Sequence, residues 1–153
     1  MPRRLIAVPL LALLIATPVA FAVDQAGTRG PDQLTGTNGS DRINGRGGND
    51  DIRGRAGNDR VIGALGDDIV AGDAGADRVE GGPGNDTLFG GAGNDTIIGG
   101  RGVDVIFGGD GRDRINSRDA EADQVSCGRG RGDQATVDPL DKVSRDCERV
   151  VRG

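Results

Sequence analysis

The sequence predicts an all-β fold, a parallel β-solenoid (β-roll) built from ten nonapeptide repeats. Three observations predict it. Glycine recurs every nine residues without a slip, an aspartate follows each of these glycines by five positions, and an aliphatic residue follows by seven. A strict short period of this kind is the signature of a stacked repeat protein, in which each unit buries its apolar side only against its neighbours.

Each repeat unit has four fixed positions. The first is glycine, at Gly27, Gly36, Gly45, Gly54, Gly63, Gly72, Gly81, Gly90, Gly99 and Gly108, and the fourth is also glycine in every unit. The sixth is aspartate, at Asp32, Asp41, Asp50, Asp59, Asp68, Asp77, Asp86, Asp95, Asp104 and Asp113. The eighth is aliphatic, at Leu34, Ile43, Ile52, Val61, Val70, Val79, Leu88, Ile97, Ile106 and Ile115. We define residues 27–116 as the repeat region.

Within a unit, the pattern predicts a six-residue turn followed by a three-residue strand. Glycine supplies the positive φ that a tight turn needs, and asparagine at position five, as in Asn58, also tolerates the left-handed region. Only the middle strand residue is apolar throughout, so it is expected to point inward. Two units then make one coil, which places unit n over unit n+2 at about 4.8 Å.

The two ends of the chain differ from the repeats. Residues 1–22 are predicted to be a secretory signal peptide, with Arg3 and Arg4, an apolar run, and a small-x-small cleavage site ending at Ala22. An uncleaved membrane anchor is the alternative, disfavoured by Pro9 and Pro18. Without residues 1–22 the chain carries 17 basic and 24 acidic residues, and this negative charge argues against a nucleic-acid partner.

The tail, residues 117–153, is predicted to cap the solenoid. It contains the only two cysteines, Cys127 and Cys147, which are expected to form a disulfide in an exported chain. It also repeats the aspartate and apolar pattern in degenerate form at Asp123, Asp133 and Asp141. Asp123 is a weak candidate for an extra site, because it follows Asp113 by ten residues rather than nine.

The pattern of position-six aspartates indicates cation binding. Stacking n over n+2 places them in two columns of five, where neighbouring carboxylates at about 4.8 Å repel by about 0.9 kcal/mol even in bulk water. Ca²⁺ accepts six to eight oxygen ligands at flexible geometry, whereas Mg²⁺ needs a stricter octahedron. The chain has no histidine, which disfavours zinc and copper. The alternative is that each aspartate only makes an Asx turn with its own backbone.

The last four units follow Gly-Gly-x-Gly-x-Asp-x-aliphatic-x in full, as in residues 90–98. This pattern resembles the RTX, or hemolysin-type, calcium-binding repeat. The resemblance implies one Ca²⁺ between adjacent turns of a column, held by the aspartates and by turn carbonyls such as those of Gly81, Gly90, Gly99 and Gly108, with at most about eight sites. The first six units depart at position two, which is expected to weaken their sites. The resemblance is to small secreted bacterial members without an effector domain.

The outward strand positions separate by repeat parity. Odd units present an apolar patch that predicts a partner surface, formed by Ile69, Ala71, Phe89, Val105 and Phe107. The tail, a second copy or a cell-surface ligand are the candidate partners. Even units present an arginine column, namely Arg42, Arg60, Arg78 and Arg114. We interpret this column as solvated charge rather than as a site for an anionic polymer.

The predicted function is extracellular calcium binding coupled to folding of a secreted protein. A calcium-stabilised surface adhesin or scaffold subunit is the alternative. Enzymatic activity is not expected, because the sequence has no histidine and no Gly-x-Ser-x-Gly motif. Ice or crystal binding would need a regular outward row such as threonines, and it is disfavoured because position seven is threonine in only two units, at Thr87 and Thr96.

Overall fold

The structure, a computed structural model, describes residues 21–153. The predicted signal peptide therefore falls outside the described residues except for its last two positions. Residues 21–153 contain fifteen β-strands and no α-helix, so this part of the chain has no helix able to cross a membrane. The predicted all-β class is confirmed.

The strands wind into two parallel sheets. In chain order they are β1 (Asp24–Ala26), β2 (Gln33–Thr35), β3 (Arg42–Gly47), β4 (Asp51–Ala56), β5 (Arg60–Leu65), β6 (Ile69–Ala74), β7 (Arg78–Pro83), β8 (Thr87–Ala92), β9 (Thr96–Arg101), β10 (Val105–Gly111), β11 (Arg114–Asn116), β12 (Gln124–Gly130), β13 (Gln134–Val137), β14 (Lys142–Val143) and β15 (Arg149–Arg152). The eight odd-numbered strands form sheet A, which carries the even repeat units, and the seven even-numbered strands form sheet B, which carries the odd units.

The register confirms that unit n lies over unit n+2. Ile43 pairs with Val61 in sheet A, and Ile52 pairs with Val70 in sheet B, each 18 residues apart. All ten position-eight side chains are buried, and together they form one apolar core between the sheets. Burial depends on a single row of side chains per sheet, so the core is thin.

The predicted division into a long turn and a short strand is wrong. Strands β3 to β9 each span six residues and include the first three positions of the following unit. A residue with positive φ at position two, such as Ala64 (φ 84°) or Gly82 (φ 127°), bends the strand without ending it. Glycine is therefore needed where the strand turns a corner, and the true turn is only three residues long.

Position-five asparagines also behave differently from the prediction, because none of them has positive φ. Their side chains instead connect adjacent coils. Asn58 Oδ1 accepts a hydrogen bond from the Ala76 N–H at 2.9 Å, and Asn94 Oδ1 accepts one from the Arg112 N–H at 2.9 Å. Asparagine at this position thus satisfies a turn N–H that the strand ladder does not reach.

The tail continues the solenoid. β12 and β14 extend sheet B, while β13 and β15 extend sheet A. The predicted disulfide between Cys127 and Cys147 is present, and both residues are buried. Because the tail strands lie in the sheets, they do not cover the apolar patch, and that candidate partner is wrong.

Position-one glycines leave room for the aspartate side chain. A Cβ added to Gly72 would lie 2.5 Å from Asp77 Oδ2 and 2.7 Å from the Gly90 carbonyl oxygen. Neither distance is compatible with van der Waals contact. Gly30, at position four of the first unit, has nothing within 4 Å of its added Cβ.

We therefore expect Gly72→Ala to lower the stability of the calcium-loaded protein by about 1 to 3 kcal/mol, because the new methyl group overpacks the turn. Gly30→Ala is the matched control and should change stability by well under 1 kcal/mol. Thermal unfolding followed by circular dichroism measures both. Equal melting temperatures for the two variants would contradict the close approach.

Candidate metal centre

The position-six aspartates line the inside of the turns in two columns, one along each edge of the solenoid. From Asp50 to Asp113 each is at most 3% exposed. From Asp32 to Asp95, the N–H of each aspartate donates to Oδ1 of the aspartate 18 residues further on, as from Asp59 to Asp77 at 2.8 Å and from Asp86 to Asp104 at 2.9 Å. One carboxylate oxygen of each is therefore used to join two coils.

The other oxygen has no partner. Oδ2 is buried without a hydrogen bond in Asp50, Asp59, Asp68, Asp77, Asp86, Asp95, Asp104 and Asp113. A buried carboxylate oxygen without a partner is costly and calls for an explanation. Except at Asp104, a Cβ added to the position-one glycine would meet both Oδ2 and a backbone carbonyl oxygen of the next coil, as at Gly72 with Asp77 Oδ2 and the Gly90 carbonyl. A set of buried oxygen acceptors with no donor fits Ca²⁺.

Units 1 and 2 differ from the rest. Asp32 Oδ2 accepts hydrogen bonds from the N–H (2.6 Å) and hydroxyl (3.0 Å) of Thr28, and Asp41 Oδ2 accepts the same two from Thr37. Neither threonine has positive φ, so its N–H faces the carboxylate. Local donors therefore occupy Oδ2 in these two units, although the contact runs to the threonine four residues earlier rather than forming an Asx turn.

The departures at position two in units 3 to 6 have a different effect. Arg46, Arg55, Ala64 and Asp73 adopt the positive φ, between 73° and 84°, of the glycines they replace. The aspartates of these units keep a free Oδ2. A non-glycine residue that accepts the strain of a positive φ at position two therefore leaves Oδ2 of the aspartate free. Threonine, which does not have a positive φ, donates hydrogen bonds to Oδ2 instead.

Burial raises the pKa values of the column aspartates. The pKa is about 7 for Asp86 and Asp95 and about 6 for Asp77, because burial disfavours the charged form and neighbouring carboxylates add to this, while a backbone hydrogen bond offsets part of it. For Asp41 the hydrogen bonds from Thr37 and Val23 outweigh burial and lower the pKa. Asp86 and Asp95 are thus more strongly desolvated than Asp41 and lack its additional hydrogen bonds at Oδ2.

Asp123 and Asp133 of the tail join the columns; the repeat pattern made Asp123 only a weak candidate for an extra site and did not place Asp133 in a column. The Asp104 N–H donates to Asp123 Oδ1, and the Asp113 N–H donates to Asp133 Oδ1, both at 2.8 Å. The signal was present in the degenerate pattern, but the strict period of nine argued against Asp123. An extra residue in the turn absorbs the irregular spacing.

The outer faces are as the repeat parity predicted. Phe89 and Phe107 of sheet B stack with ring centroids 5.2 Å apart, and together with Ile69 they remain exposed, whereas Ala71 is buried and Val105 half-buried.

On sheet A, arginines follow one another in register, from Arg42 to Arg60 to Arg78. Glu80 accepts hydrogen bonds from Arg60 at 3.2 Å and from Arg78 at 2.6 Å. These contacts agree with the interpretation of the arginine column as balanced surface charge.

Fold and site together define a cation-binding β-roll, in which stacked turns present pairs of free carboxylate oxygens beside backbone carbonyls. A family model described as RTX calcium-binding nonapeptide repeat (4 copies) matches residues 26–61, 46–79, 53–88, 62–97 and 80–115, which together span 26–115. The chain belongs to this family, and its repeats bind Ca²⁺. None of the curated proteins matches the chain.

The raised pKa values predict that protons compete with Ca²⁺. At pH 5.5 the folded, calcium-free protein holds protons on Asp86 and Asp95, with pKa about 7, whereas unfolded aspartate, with a pKa of about 3.9, has lost them. Stability of the calcium-free fold therefore falls as pH rises from about 4 to about 7. Calcium binding below pH 7 must also displace these protons.

We expect the Ca²⁺ concentration at half-maximal folding to be no higher at pH 5.5 than at pH 8, because unfolded aspartate is deprotonated at both pH values while protons stabilise the calcium-free fold at pH 5.5. We also expect more β-structure at pH 5 than at pH 8 when a chelator is present. Circular dichroism titrations measure both quantities. Equal β-structure at pH 5 and pH 8 in the presence of the chelator would contradict the raised pKa values.

Proposed function

We propose that this protein is an extracellular calcium-binding protein in which Ca²⁺ binding drives folding of the β-roll. The observation that carries the proposal is the row of buried Oδ2 atoms without a partner, from Asp50 to Asp113. In a folded chain without cations, each of these oxygens has lost water and gained nothing. Ca²⁺ between the turns supplies the missing interaction.

The apolar core is too small to hold the columns together without help. It consists of one buried aliphatic residue per nonapeptide plus a few tail residues. Stacked carboxylates meanwhile oppose folding in both columns. A ligand that binds only the folded state shifts the equilibrium by mass action, so binding and folding become one transition.

The proposed ligands are the position-six aspartates and the turn carbonyls, including those of Gly81, Gly90, Gly99 and Gly108. We call the space between two successive aspartates of a column a gap. The gaps next to Asp32 and Asp41 are the weakest candidates, because threonine already donates hydrogen bonds to one oxygen of each carboxylate. We assign no catalytic role to any of these carboxylates, since each is part of a repeated column rather than an isolated acid and base pair.

The setting supports a role outside the cell. Proteins with these repeats are typically secreted, and residues 1–22 have the pattern of a signal peptide. Extracellular Ca²⁺ modules commonly have dissociation constants of about 10⁻⁴ to 10⁻³ M. A chain with such an affinity stays unfolded where Ca²⁺ is scarce, which favours export, and folds where Ca²⁺ is abundant.

The processed chain, residues 23–153, is expected to lose its β-sheet signal in circular dichroism when a chelator is added, and to regain it with Ca²⁺. Asp68→Asn should raise the Ca²⁺ concentration at half-maximal folding several-fold, because it removes one charge from the column while keeping the Oδ1 acceptor. A β-rich spectrum and a melting curve unchanged by exhaustive chelation would rule out coupled folding.

Asp67→Asn is the matched control for Asp68→Asn. Asp67 is the neighbouring residue, it is exposed, and its Oδ1 accepts a hydrogen bond from the Asn85 N–H at 2.8 Å, a contact that asparagine makes elsewhere in the solenoid. Both variants remove one negative charge. Equal effects on calcium binding would show that net charge matters rather than position in the column.

The exposed apolar patch favours a surface adhesin or scaffold subunit as a second candidate. Ile69 is 49% exposed, Phe107 41% and Phe89 37%, and contiguous exposed apolar groups mark interaction surfaces. Here Ca²⁺ would stabilise the β-roll, and the patch would bind the partner.

Phe89→Ser combined with Phe107→Ser should abolish self-association or cell-surface binding of the calcium-loaded protein. Sedimentation velocity and co-sedimentation with cells measure the two forms of binding. Leu65→Ser, which removes an exposed apolar side chain on sheet A, is the control. A double variant that behaves like the parent in both assays would contradict this role.

A further inference from the structure

We propose that the two calcium columns extend beyond the repeats into the tail, with one further Ca²⁺ site between Asp104 and Asp123 and another between Asp113 and Asp133. The proposal rests on the proposed function, because it assumes that the free carboxylate oxygens of the columns hold Ca²⁺. It concerns residues outside the matched repeats, which end at residue 115.

The backbone of the tail reproduces the arrangement found between repeats. Asp123 and Asp133 accept through Oδ1 the same N–H hydrogen bond that joins successive repeat aspartates, at the same distance of 2.8 Å. Gly109 pairs with Gly128 and Gly111 with Gly130, so the glycines that shape a repeat turn also have counterparts there. The turn that leads to Asp133 is therefore a repeat turn with an inserted residue.

The free oxygens continue as well. Oδ2 of Asp123 and of Asp133 is buried without a hydrogen bond, and the two residues are 0% and 1% exposed. Each faces a repeat aspartate, Asp104 or Asp113, whose own Oδ2 is also free. Both tail gaps thus present a pair of unpartnered carboxylate oxygens, as the gaps between repeats do.

In the gap between Asp113 and Asp133, a backbone carbonyl lies at the same place as in the gaps between repeats. A Cβ added to Gly108 would meet Asp113 Oδ2 at 2.6 Å and would also contact the Cys127 carbonyl oxygen. In the repeats that carbonyl belongs to a position-one glycine. Cys127 therefore occupies position one of the last complete turn, and its disulfide to Cys147 fixes this side of the proposed site.

Other tail aspartates are excluded by their hydrogen bonds. Asp141 accepts from the Ser117 hydroxyl at 2.8 Å and from the Asp138 N–H at 3.0 Å, and Asp146 accepts from the Ser126 hydroxyl at 2.7 Å and from two backbone N–H groups. Neither has a free buried oxygen. The free Oδ2 atoms consequently end at Asp123 in one column and at Asp133 in the other, although the Asp123 N–H still donates to Asp141 Oδ1 at 3.1 Å.

The number of gaps flanked by two free oxygens remains eight, but the set is displaced toward the tail. Threonine closes one oxygen at Asp32 and at Asp41, which removes the first gap of each column from this set, and the two tail gaps replace them. The eight are 50/68, 68/86, 86/104 and 104/123 in one column, and 59/77, 77/95, 95/113 and 113/133 in the other.

Calcium stoichiometry tests the proposal. The processed chain with Asp123→Asn and Asp133→Asn should bind two fewer Ca²⁺ ions than the parent at a free Ca²⁺ concentration that saturates the parent, measured by equilibrium dialysis and native mass spectrometry. Asp67→Asn with Asp110→Asn is the control, because it removes two exposed charges outside the columns. It should bind as many ions as the parent.

The outcomes separate the two proposals. If the tail variant binds as many ions as the parent, the tail sites are overturned and the proposed function stands. If the parent itself binds no Ca²⁺, the proposed function fails first. If the double variant does not fold in saturating Ca²⁺, Asp123→Asn and Asp133→Asn are counted singly, and each must lose one ion while retaining the β-sheet spectrum.

Discussion

The stacking of buried carboxylates is the constraint on which the rest of this structure depends. A parallel solenoid places equivalent residues about 4.8 Å apart, so a fixed aspartate in every unit becomes a column of like charges. The N–H of the preceding aspartate compensates one oxygen of Asp86 and of Asp95, the second oxygen is buried without a hydrogen bond, and burial raises the pKa of both residues to about 7. A proton or a cation has to be present on this oxygen.

In each unit, the position-one glycine and the position-six aspartate depend on each other for space. The aspartate side chain folds back over the position-one glycine of its own unit, where a methyl group would collide with Oδ2 and with the carbonyl of the next coil, as Gly72 and Asp77 show. The glycine makes space, and the carboxylate fills it with its free oxygen facing inward. Neither residue would be fixed ten times if the turn only had to reverse the chain.

The period of nine was sufficient to predict the class of fold, the register, the core and the two columns, because a slip of one residue would turn every apolar side chain outward. It could not predict the length of the strands, which depends on the φ angle at position two. It also could not distinguish Thr28 from Ala64 at that position, since only the local backbone decides whether an N–H reaches the carboxylate. Asp133 was missed as a column residue because an insertion hides its register.

The two ends show how a finite solenoid terminates such columns. At the start, threonine N–H and hydroxyl groups occupy the free oxygens, and the Val23 N–H donates to Asp41 at 2.6 Å. At the other end, Ser117 and Ser126 donate to Asp141 and Asp146. Hydrogen-bond donors thus satisfy, at each end, carboxylate oxygens of the kind that stay without a partner between the turns. Since an end coil has a neighbour on one side only, a cation there would lack half of its ligands, and a hydroxyl group needs no second turn.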